Sequence, residues 1–560
     1  MREPSYVRGE DVPPLLELTI GAAMEEAARQ WPDRPALVSP RQNVRWRWDE
    51  LNARADALAA GFLQYGLGRG DRIGIWAPNC AEWALTQFAA AKIGLILVTI
   101  NTAYRQAELE FALNRVGCKA LVMATGHRGI DYLGMLRAIA PELASSAEGG
   151  LAATHVPALK LVVTMGDDSE PGCLPFSVLA STETDTVRVH EIAAALAPED
   201  PINIQFTSGT TGFPKGATLS HRNILNNGFF VGARIGLTVD DRLCIPVPLY
   251  HCFGMVMGNL ACVAHGAAMV YPCEGFEARA VLETVEAERC TVLYGVPTMF
   301  IAEQNEPDFA RFDLSSLRTG IMAGSPCPIE VMRRVVSDMH MPEVTIAYGM
   351  TETSPVSFQS ARNDSVEQRV TTVGRVHPHV EVKVVDEQGL TVPRGTPGEF
   401  CTRGYSVMLG YWNDLERTAE VIDAEGWMHT GDLGTIDDEG YGNVVGRIKD
   451  MVIRGGENIY PREVEEFLFR HPKIRDVQVV GVPDEKYGEE LCAWIILREN
   501  EDTSAEEIRA FCREHISHHK IPRHIRFVDA FPMTVTGKVQ KYLIREAMVA
   551  ELGVKVAATA

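Results

Sequence analysis

The chain has 560 residues, of which 46% are hydrophobic and 23% charged, and its formal net charge is −21 at pH 7. A chain of this length exceeds what one hydrophobic core usually serves, so we expect several domains or subdomains. Its acidity opposes nonspecific binding to nucleic acids and to anionic membrane surfaces, and any anionic substrate needs a locally positive pocket.

Cysteine usage and apolar runs bear on the compartment. Twelve cysteines are scattered along the chain without a Cys-x-x-Cys pair, which argues against a zinc cluster and for reduced thiols. The residues after Met1 lack the apolar stretch of a signal peptide. No apolar run approaches the ~20 residues that a membrane span requires. We therefore expect a soluble, cytoplasmic protein with no integral membrane segment and no nucleic-acid partner.

Helices and strands are predicted to alternate in the first part of the chain. Asp49 is expected to cap a helix whose apolar side chains recur every three or four positions from Leu51 to Phe62. A strand at 72–76, a helix at 81–93 and a strand at 95–100 follow. This order implies parallel strand pairing within α/β layers.

The alternation returns later in the chain, after an irregular segment. Helices are predicted at 276–289 and 330–338, and strands at 291–294 and 344–347. Residues 140–190 are rich in Ser, Gly, Pro and Ala, and we interpret them as a surface excursion.

Beyond about residue 380 the predicted elements become shorter. Strands at 381–385, 398–402 and 441–445, separated by Pro and Gly turns, predict a β-rich subdomain over about 380–446.

The C-terminal part of the chain predicts a compact, small α+β domain. Its elements are a helix at 462–470, strands at 476–480 and 493–497, and a helix that starts at the capping box of Ser504 and Glu507. We place a boundary near residue 448, between a large N-terminal domain (1–448) of layered α/β subdomains and a small C-terminal domain (449–560).

A glycine- and hydroxyl-rich loop follows the predicted strand at 202–206. Its sequence is Thr207-Ser208-Gly209-Thr210-Thr211-Gly212-Phe213-Pro214-Lys215-Gly216. Glycines let backbone N–H groups turn toward an anion, hydroxyls add donors and Lys215 supplies charge, so the loop suits phosphates. It is not a Walker loop, because Pro214 occupies the position where that motif needs glycine. Alone, it is equally compatible with a Gly/Thr surface turn.

Further motifs accompany this loop. They are Tyr348-Gly349-Met350-Thr351-Glu352, Thr430-Gly431-Asp432, Gly446-Arg447-Ile448-Lys449-Asp450, Arg454-Gly455-Gly456 and Pro532-Met533-Thr534-Val535-Thr536-Gly537-Lys538. Glu352 offers a carboxylate for a hard cation such as Mg²⁺, and Asp432 one for vicinal ribose hydroxyls. Each motif, taken alone, is more typical of a turn, a charged linker or a solvated side chain.

Taken together and in this order, the motifs resemble the adenylate-forming (AMP-binding) superfamily. This superfamily includes acyl- and aryl-CoA synthetases, adenylation domains and firefly luciferase. Residues 217–221 and 248–251 extend the similarity, which covers nearly the whole chain. The hinge and C-terminal motifs look most like the fatty-acyl-CoA synthetase branch. The resemblance implies ATP, Mg²⁺ and coenzyme A as cofactor and cosubstrates.

The resemblance also implies roles in nucleotide binding. Residues 207–215 match the loop that holds the β- and γ-phosphates, and Glu352 matches the magnesium ligand. The other matched positions are Gly324 and Ser325 at the adenine and acyl pockets, Tyr348 on adenine with Gly349 and Met350 in the same motif, Thr351 beside the α-phosphate, and Asp432 and Arg447 at the ribose hydroxyls.

The C-terminal domain is implied to be mobile. Lys538 matches the lysine that bridges the carboxylate and the α-phosphate during adenylation, and it must leave before coenzyme A enters. Lys449 matches the hinge about which the domain turns. The turn is expected to bring Gly455 and Gly456 toward the site, where they leave room for the pantetheine chain.

The acyl pocket is predicted at residues 251–258, which are expected to start a helix. Its apolar composition, with Phe253 and Met255, suits an aliphatic or otherwise hydrophobic acid. His251 either gates the acyl or thiol tunnel or is a core histidine bonded to the backbone. The pair His518-His519 is interpreted as solvated helix surface and not as a metal site.

The leading hypothesis is an ATP-dependent fatty-acyl-CoA synthetase for medium- or long-chain acids. The alternatives are a ligase for aryl or other organic acids, an enzyme that passes its acyl-AMP to a carrier-protein thiol or to oxygen, and a noncatalytic nucleotide-binding protein. The presence of Lys215, Glu352 and Lys538 argues against the noncatalytic alternative. A homodimer is compatible with this hypothesis.

Overall fold

The structure, a computed structural model, describes residues 3–166, 169–181, 186–207, 214–325, 327–455, 457–484, 486–513, 515–534 and 538–553. It divides into two compact units. The larger consists of Val7–Val382 and Thr402–Met428, and the smaller of Met1–Tyr6, Lys383–Cys401 and His429–Ala560. The predicted mixed α/β fold, with a large N-terminal and a small C-terminal domain, is confirmed. Among the described residues, no helix combines the length and apolar character needed to cross a bilayer.

One sheet of the larger unit contains the predicted parallel strands. In spatial order its strands are Leu174–Pro175, Leu161–Thr164, Ala120–Met123, Arg72–Trp76, Ile96–Thr99, Pro201–Thr207, Lys215–Ser220 and Gly410–Tyr411. Arg72–Trp76 pairs in parallel with Ile96–Thr99, as the strand–helix–strand order predicts.

The interpretation of residues 140–190 as a surface excursion is wrong for part of that range. Leu161–Thr164 is a buried strand that pairs in parallel with Ala120–Met123. All four of its residues are buried, because both faces of the strand are covered, and its first three residues are apolar, so the strand lacks the alternation that marks a half-exposed strand.

A second sheet of the larger unit has a parallel centre and antiparallel edges. In spatial order its strands are Gly374–Val376, Val356–Gln359, Glu343–Gly349, Thr319–Ala323, Val292–Gly295, Arg242–Cys244, Ala268–Val270, Pro35–Ser39 and Val44–Arg47. Thr319–Ala323 and Glu343–Gly349 are parallel neighbours, with Ala323 opposite Ala347. Their carboxyl ends therefore lie at the same edge of the sheet, where ligands of α/β proteins commonly bind.

Helices cover these sheets. Those of the larger unit are Ile20–Gln30, Trp48–Gln64, Ala81–Lys92, Gln106–Val116, Tyr132–Ile139, Phe176–Ala180, Thr186–Ala194, His221–Arg234, Ala261–His265, Ala278–Glu288, Pro297–Gln304, Ile329–Asp338, Val366–Thr371 and Leu415–Val421, with a π-helix at Phe253–Leu260. The predicted cap at Asp49 is wrong, because Trp48–Gln64 begins earlier and Arg47 is its N-cap. Glu50 accepts the Arg47 backbone N–H at 2.9 Å, which supplies a capping interaction from inside the helix.

The smaller unit contains the predicted α+β elements. Its C-terminal sheet has the strands Glu457–Ile459, Val452–Arg454, Gly488–Leu497 and Ile474–Asp484, and His524–Phe527 pairs with Gly488–Leu497. The helices are Pro461–Leu468, Ala505–Arg513 and Lys541–Leu552. The neighbouring β-rich elements include Val380–Val385, Gly398–Gly404, Met428–Ile436 and Tyr441–Arg447, in that spatial order. The boundary near residue 448 stays a prediction.

Candidate active site

The two ends of the predicted phosphate loop lie at the open end of a hairpin. Thr207 ends its strand directly opposite Lys215, which begins the antiparallel partner. Residues 208–213, which carry Ser208, Gly209, Thr210, Thr211, Gly212 and Phe213, lie outside the described residues. The hairpin therefore fixes the first hydroxyl and the lysine of the motif on adjacent strands.

The Glu352 carboxylate is buried at the centre of an oxygen-rich cluster in the larger unit. The residue Glu352 is only 5% exposed to solvent. One oxygen, Oε1, accepts hydrogen bonds from the Thr207 hydroxyl at 3.1 Å and from the Tyr411 phenol at 3.0 Å. Hydroxyls that donate to a carboxylate hold its negative charge in place within a low-dielectric environment.

Tyr411 also connects this carboxylate to the loop lysine. The Lys215 ammonium nitrogen lies 4.9 Å from the centroid of the Tyr411 ring, within cation–π range. Burial, with a smaller contribution from the charge of Glu352, raises the pKa of the phenol well above its usual value. The phenol therefore keeps its proton throughout the physiological pH range and remains a hydrogen-bond donor to Glu352.

The oxygen atoms of this cluster are suitable ligands for the Mg²⁺ that the resemblance implies. The Glu352 carboxylate and the Thr207 hydroxyl present oxygen atoms, which are hard ligands, and the Tyr411 phenol orients the carboxylate. Mg²⁺ takes few protein ligands and is otherwise held by water and phosphate oxygens, so one buried carboxylate satisfies its requirement.

The predicted adenine-binding residues lie at the carboxyl edge of the second sheet. Gly324 and Ser325 follow the strand Thr319–Ala323, and Tyr348 lies near the end of its parallel neighbour Glu343–Gly349. At Gly349 an added Cβ would lie 1.7 Å from the Pro355 carbonyl oxygen, so only glycine fits. The sheet thus brings these predicted positions together.

Thr351 directly precedes Glu352 in a single 3₁₀ turn, Thr351–Thr353. Met350 is partly buried, and its backbone N–H donates to the Thr353 hydroxyl at 3.2 Å. The Thr351 hydroxyl lies 3.9 Å from the thiol sulfur of Cys252, which connects this turn to the segment predicted to line the acyl pocket.

The predicted helix after His251 is present as a π-helix, Phe253–Leu260, a form often found at functional sites. Phe253 and Met255 are buried in it. The Phe253 backbone N–H donates to Nδ1 of the half-buried His251 at 3.1 Å. This bond is the one expected of a core histidine, and it also fixes the orientation of the ring at the helix entrance.

In the smaller unit, Asp432 and Arg447 lie directly opposite each other on antiparallel strands. The Arg447 Nε donates to Asp432 Oδ1 at 3.0 Å, and the aspartate side chain is 9% exposed whereas the arginine side chain is 52% exposed. The Gly431 N–H donates to Glu399 Oε1 at 3.0 Å. Arg447 on one flanking strand thus contacts the carboxylate predicted to bind ribose, and Glu399 on the other flanking strand binds the backbone just before it.

Lys449 and Gly455 flank the start of the C-terminal sheet. Lys449 is exposed in the turn Ile448–Asp450. Gly455 has a φ of +60°, a conformation that favours glycine, and its N–H donates to the Tyr487 carbonyl at 2.8 Å. Gly456 lies outside the described residues.

Two hydrogen bonds join Lys538 to Thr534 in the smaller unit. The Thr534 N–H donates to the Lys538 carbonyl at 2.7 Å, and the Lys538 N–H donates to the Thr534 hydroxyl at 3.0 Å. Lys538 is exposed. Three residues later, the Lys541 ammonium pairs with Glu465 at 2.6 Å.

Sequence reasoning did not identify Tyr411 or Cys252. Tyr411 lies 59 positions from Glu352 in the chain and joins the cluster only because Gly410–Tyr411 is an edge strand beside Lys215–Ser220. No local spacing signals such a contact.

Comparisons with known proteins agree with the motif pattern. Residues 24–412 match the AMP-binding enzyme family, and residues 463–538 match the AMP-binding enzyme C-terminal domain. The chain is 49% identical to YngI of Bacillus subtilis (strain 168), over 95% of this chain and 97% of that protein. It is 47% identical to the mitochondrial medium-chain acyl-CoA ligase ACSF2 of Danio rerio, over 98% of this chain and 91% of that protein.

A solved structure also resembles the fold. The anthranilate CoA ligase AuaEII in complex with anthranoyl-AMP superposes with a TM-score of 0.84 at 26% identity, and the match covers 97% of this chain and 99% of that chain.

Proposed function

The chain belongs to the AMP-binding enzyme family, and we propose that it joins a medium-chain fatty acid to coenzyme A by way of an acyl-AMP intermediate. ATP and the acid first give acyl-AMP and pyrophosphate. The thiol of coenzyme A then displaces AMP and forms the thioester.

The observation that carries this proposal is the buried cluster around Glu352. It joins a carboxylate, two hydroxyl donors and, through the Tyr411 ring, the Lys215 cation at the open end of a strand hairpin. Glu352 would hold Mg²⁺ there, and the ion would supply positive charge against the phosphates of ATP. Glu352 holds the cation, while Thr207 and Lys215 bind the β- and γ-phosphates.

In the first half-reaction a carboxylate oxygen of the acid attacks the α-phosphorus of ATP, and the bond to pyrophosphate breaks. Two anions must approach each other, so cations aimed at the developing charge lower the barrier. We assign this role to Lys538, which bridges the carboxylate and the α-phosphate beside Thr351. Asp432 and Arg447 orient the ribose, and Tyr348, with Gly324 and Ser325, receives the adenine.

In the second half-reaction the sulfur of coenzyme A attacks the acyl carbonyl carbon, and AMP leaves with the bonding electron pair. Lys538 is no longer needed and obstructs the thiol, so a turn about Lys449 replaces it with Gly455 and Gly456. Residues 449–560 are then a mobile lid whose two orientations serve the two steps.

The choice of a medium-chain acid is supported by two observations. The π-helix Phe253–Leu260 buries apolar side chains beside Thr351, which suits an aliphatic chain. The Danio rerio relative is named a medium-chain acyl-CoA ligase. In contrast, AuaEII acts on anthranilate, so aryl acids are the principal competing substrates.

A coenzyme A-dependent AMP-release assay tests the proposal. The panel runs from short to very long fatty acids and includes benzoate and anthranilate. We expect the highest kcat/KM with medium-chain acids. A maximum of kcat/KM with an aryl acid would identify the enzyme as an aryl-CoA ligase. AMP release that needs a carrier protein in place of coenzyme A would favour transfer of the acyl group to a carrier protein. No AMP release with any acid would refute the enzymatic role.

We also propose that the enzyme works in the cytoplasm. All twelve cysteines are free thiols, as expected of a reducing compartment. The Danio rerio relative is a mitochondrial protein by name, so fractionation against cytosolic and organelle markers is the relevant test.

A further inference from the structure

Three side chains with different ligand atoms meet in the smaller unit, on the strand that carries Asp432 and on its neighbour. Glu399 and Cys401 are two positions apart on the strand Gly398–Gly404, so they point to the same face. His429 lies on the neighbouring strand Met428–Ile436. One carboxylate oxygen, the thiol sulfur and the imidazole Nδ1 all lie within 4.8 Å of one another.

The distances resemble those among the ligands of one small metal ion. The Cys401 sulfur lies 3.5 Å from His429 Nδ1, and Glu399 Oε2 lies 2.8 Å from the same nitrogen. Atoms bound to a tetrahedral zinc at about 2.0–2.3 Å lie roughly 3.3–3.7 Å apart. The sulfur–nitrogen distance already lies in this range, whereas the oxygen–nitrogen distance must increase slightly when an ion binds.

The three atoms also have the chemistry of metal ligands. With a proton on Nδ1, the imidazole donates to Glu399 Oε2 at 2.8 Å, and the Cys401 sulfur lies 3.5 Å from the same nitrogen. A cation in the centre of the three atoms takes the place of that proton and of the thiol proton, and it is then bound by a carboxylate oxygen, a thiolate sulfur and an imidazole nitrogen.

The cluster is also oriented by its surroundings. The second oxygen of Glu399 accepts the Gly431 N–H at 3.0 Å, which fixes the carboxylate while Oε2 faces the imidazole. Hydrogen bonds of this kind to a ligand carboxylate are typical of metal sites. Cys401 is buried, whereas the His429 side chain is 33% exposed, so an ion has a route from solvent.

We propose that Glu399, Cys401 and His429 form a binding site for a borderline divalent cation of the Zn²⁺ class. Binding releases to solvent the thiol proton of Cys401 and the proton that His429 Nδ1 shares with Glu399, so that a thiolate and a neutral imidazole hold the metal, and it leaves one coordination position for water. The mixed sulfur, nitrogen and oxygen donors select against Mg²⁺, which prefers oxygen. The site is therefore distinct from the all-oxygen cluster at Glu352, and it does not depend on the proposed reaction.

The expectation that the chain lacks a zinc cluster rests on the absence of Cys-x-x-Cys pairs. That rule recognises ligands from one local segment. Here the ligands come from two strands, separated by 28 positions between Cys401 and His429, and only strand pairing brings them together.

Titration of the EDTA-treated full-length chain with Co²⁺ tests the proposal. We expect a thiolate-to-cobalt charge-transfer band in the near ultraviolet that saturates at one equivalent, is lost on addition of Zn²⁺ and persists in a large excess of Mg²⁺. The Cys401→Ser variant should lose the band. Cys327→Ser is the matched control and should keep it, because Cys327 is a partly exposed thiol of the larger unit.

Thermal unfolding guards against a folding artefact, since Cys401 is buried. Zn²⁺ should raise the Tm of the wild-type chain by mass action. It should leave the Tm of His429→Asn unchanged, and the Tm without metal shows whether each variant folds. A Co²⁺ band that survives in Cys401→Ser, no band in the wild type, or the same Zn²⁺-dependent Tm rise in His429→Asn would each overturn the proposal.

Discussion

The Tyr411 phenol donates to the Glu352 carboxylate at 3.0 Å while its ring lies 4.9 Å from the Lys215 ammonium. One side chain therefore positions the acidic and the basic member of the proposed nucleotide site. Because Tyr411 acts through these two residues, it is a positioning residue.

Tyr411→Phe tests the two contacts separately. The variant keeps the ring beside Lys215 and removes the hydroxyl from Glu352. A hydrogen bond to a charged group is worth about 1.5–3 kcal/mol, so we expect kcat/KM for ATP–pyrophosphate exchange to fall about tenfold or more. The Mg²⁺ concentration for half-maximal rate should rise.

Tyr405→Phe is the control, because Tyr405 is a half-buried tyrosine of the same unit whose oxygen lies 3.4 Å from the Asn227 amide nitrogen. Equal losses in both variants, with unchanged Mg²⁺ dependence, would show that Tyr411 is merely structural.

Glu352→Gln should remove the charge that holds Mg²⁺ and preserve the shape of the side chain. We expect exchange to fall by about two orders of magnitude or more, the cost of losing a charged group at a phosphate site. Binding of ATP measured by calorimetry should become insensitive to Mg²⁺. Glu343→Gln, a carboxylate that pairs with Arg318 in the same unit, is expected to keep that sensitivity.

Lys538→Ala should impair one half-reaction. Adenylation should slow by about two to three orders of magnitude, because the lost cation faces charge that develops only in that step. Thioester formation from supplied acyl-AMP should survive. Lys520→Ala removes a partly exposed lysine that pairs with Glu463 and should affect neither step. An equal loss in both half-reactions of Lys538→Ala would contradict the assigned role.

Lys449→Pro should have the opposite pattern. Proline fixes φ at its own position and restricts the preceding residue, so it hinders a turn of the chain at Ile448–Asp450. Pyrophosphate exchange should be spared, and thioester formation should slow. Lys449→Ala, which leaves the backbone free to turn, should support both steps. Loss of exchange in the proline variant would contradict the hinge.

The elements that the sequence predicts well are those with a local signal. The helix Ala81–Lys92, the strand Arg72–Trp76 and the capping box of Ser504 and Glu507 all have such signals, and the structure contains them. The buried strand Leu161–Thr164 lacks such a signal, because it is short, does not alternate between apolar and polar residues, and is surrounded by loop-forming residues.

The candidate site divides in the same way. Glu352, Thr207 and Lys215 belong to motifs with a recognisable order, and the structure brings them together. Tyr411 and the cluster of Glu399, Cys401 and His429 depend on which strands become neighbours. Strand neighbours are set by packing over the whole domain, which no local pattern encodes.

A buried carboxyl outside the site predicts how stability depends on pH. Glu303, on the helix Pro297–Gln304, is 1% exposed, and neither of its oxygens has a hydrogen-bond partner among the described residues. Burial raises its pKa well above 4.5. Between the unfolded and the folded pKa the native state holds a proton that the unfolded chain releases, so the free energy of unfolding falls as pH rises above about 4.5.

Glu303→Gln should flatten this dependence, since an amide does not titrate. The buried amide carries its own cost, but that cost is the same at every pH, and the slope is therefore the quantity to measure. Urea unfolding at several pH values between 5 and 8 should show the variant gaining stability over the wild type as pH rises. Glu283→Gln changes an exposed carboxyl on the nearby helix Ala278–Glu288 and should leave the wild-type slope unchanged. Parallel curves for wild type and Glu303→Gln would show that the Glu303 carboxyl ionises at its ordinary pKa in the folded chain.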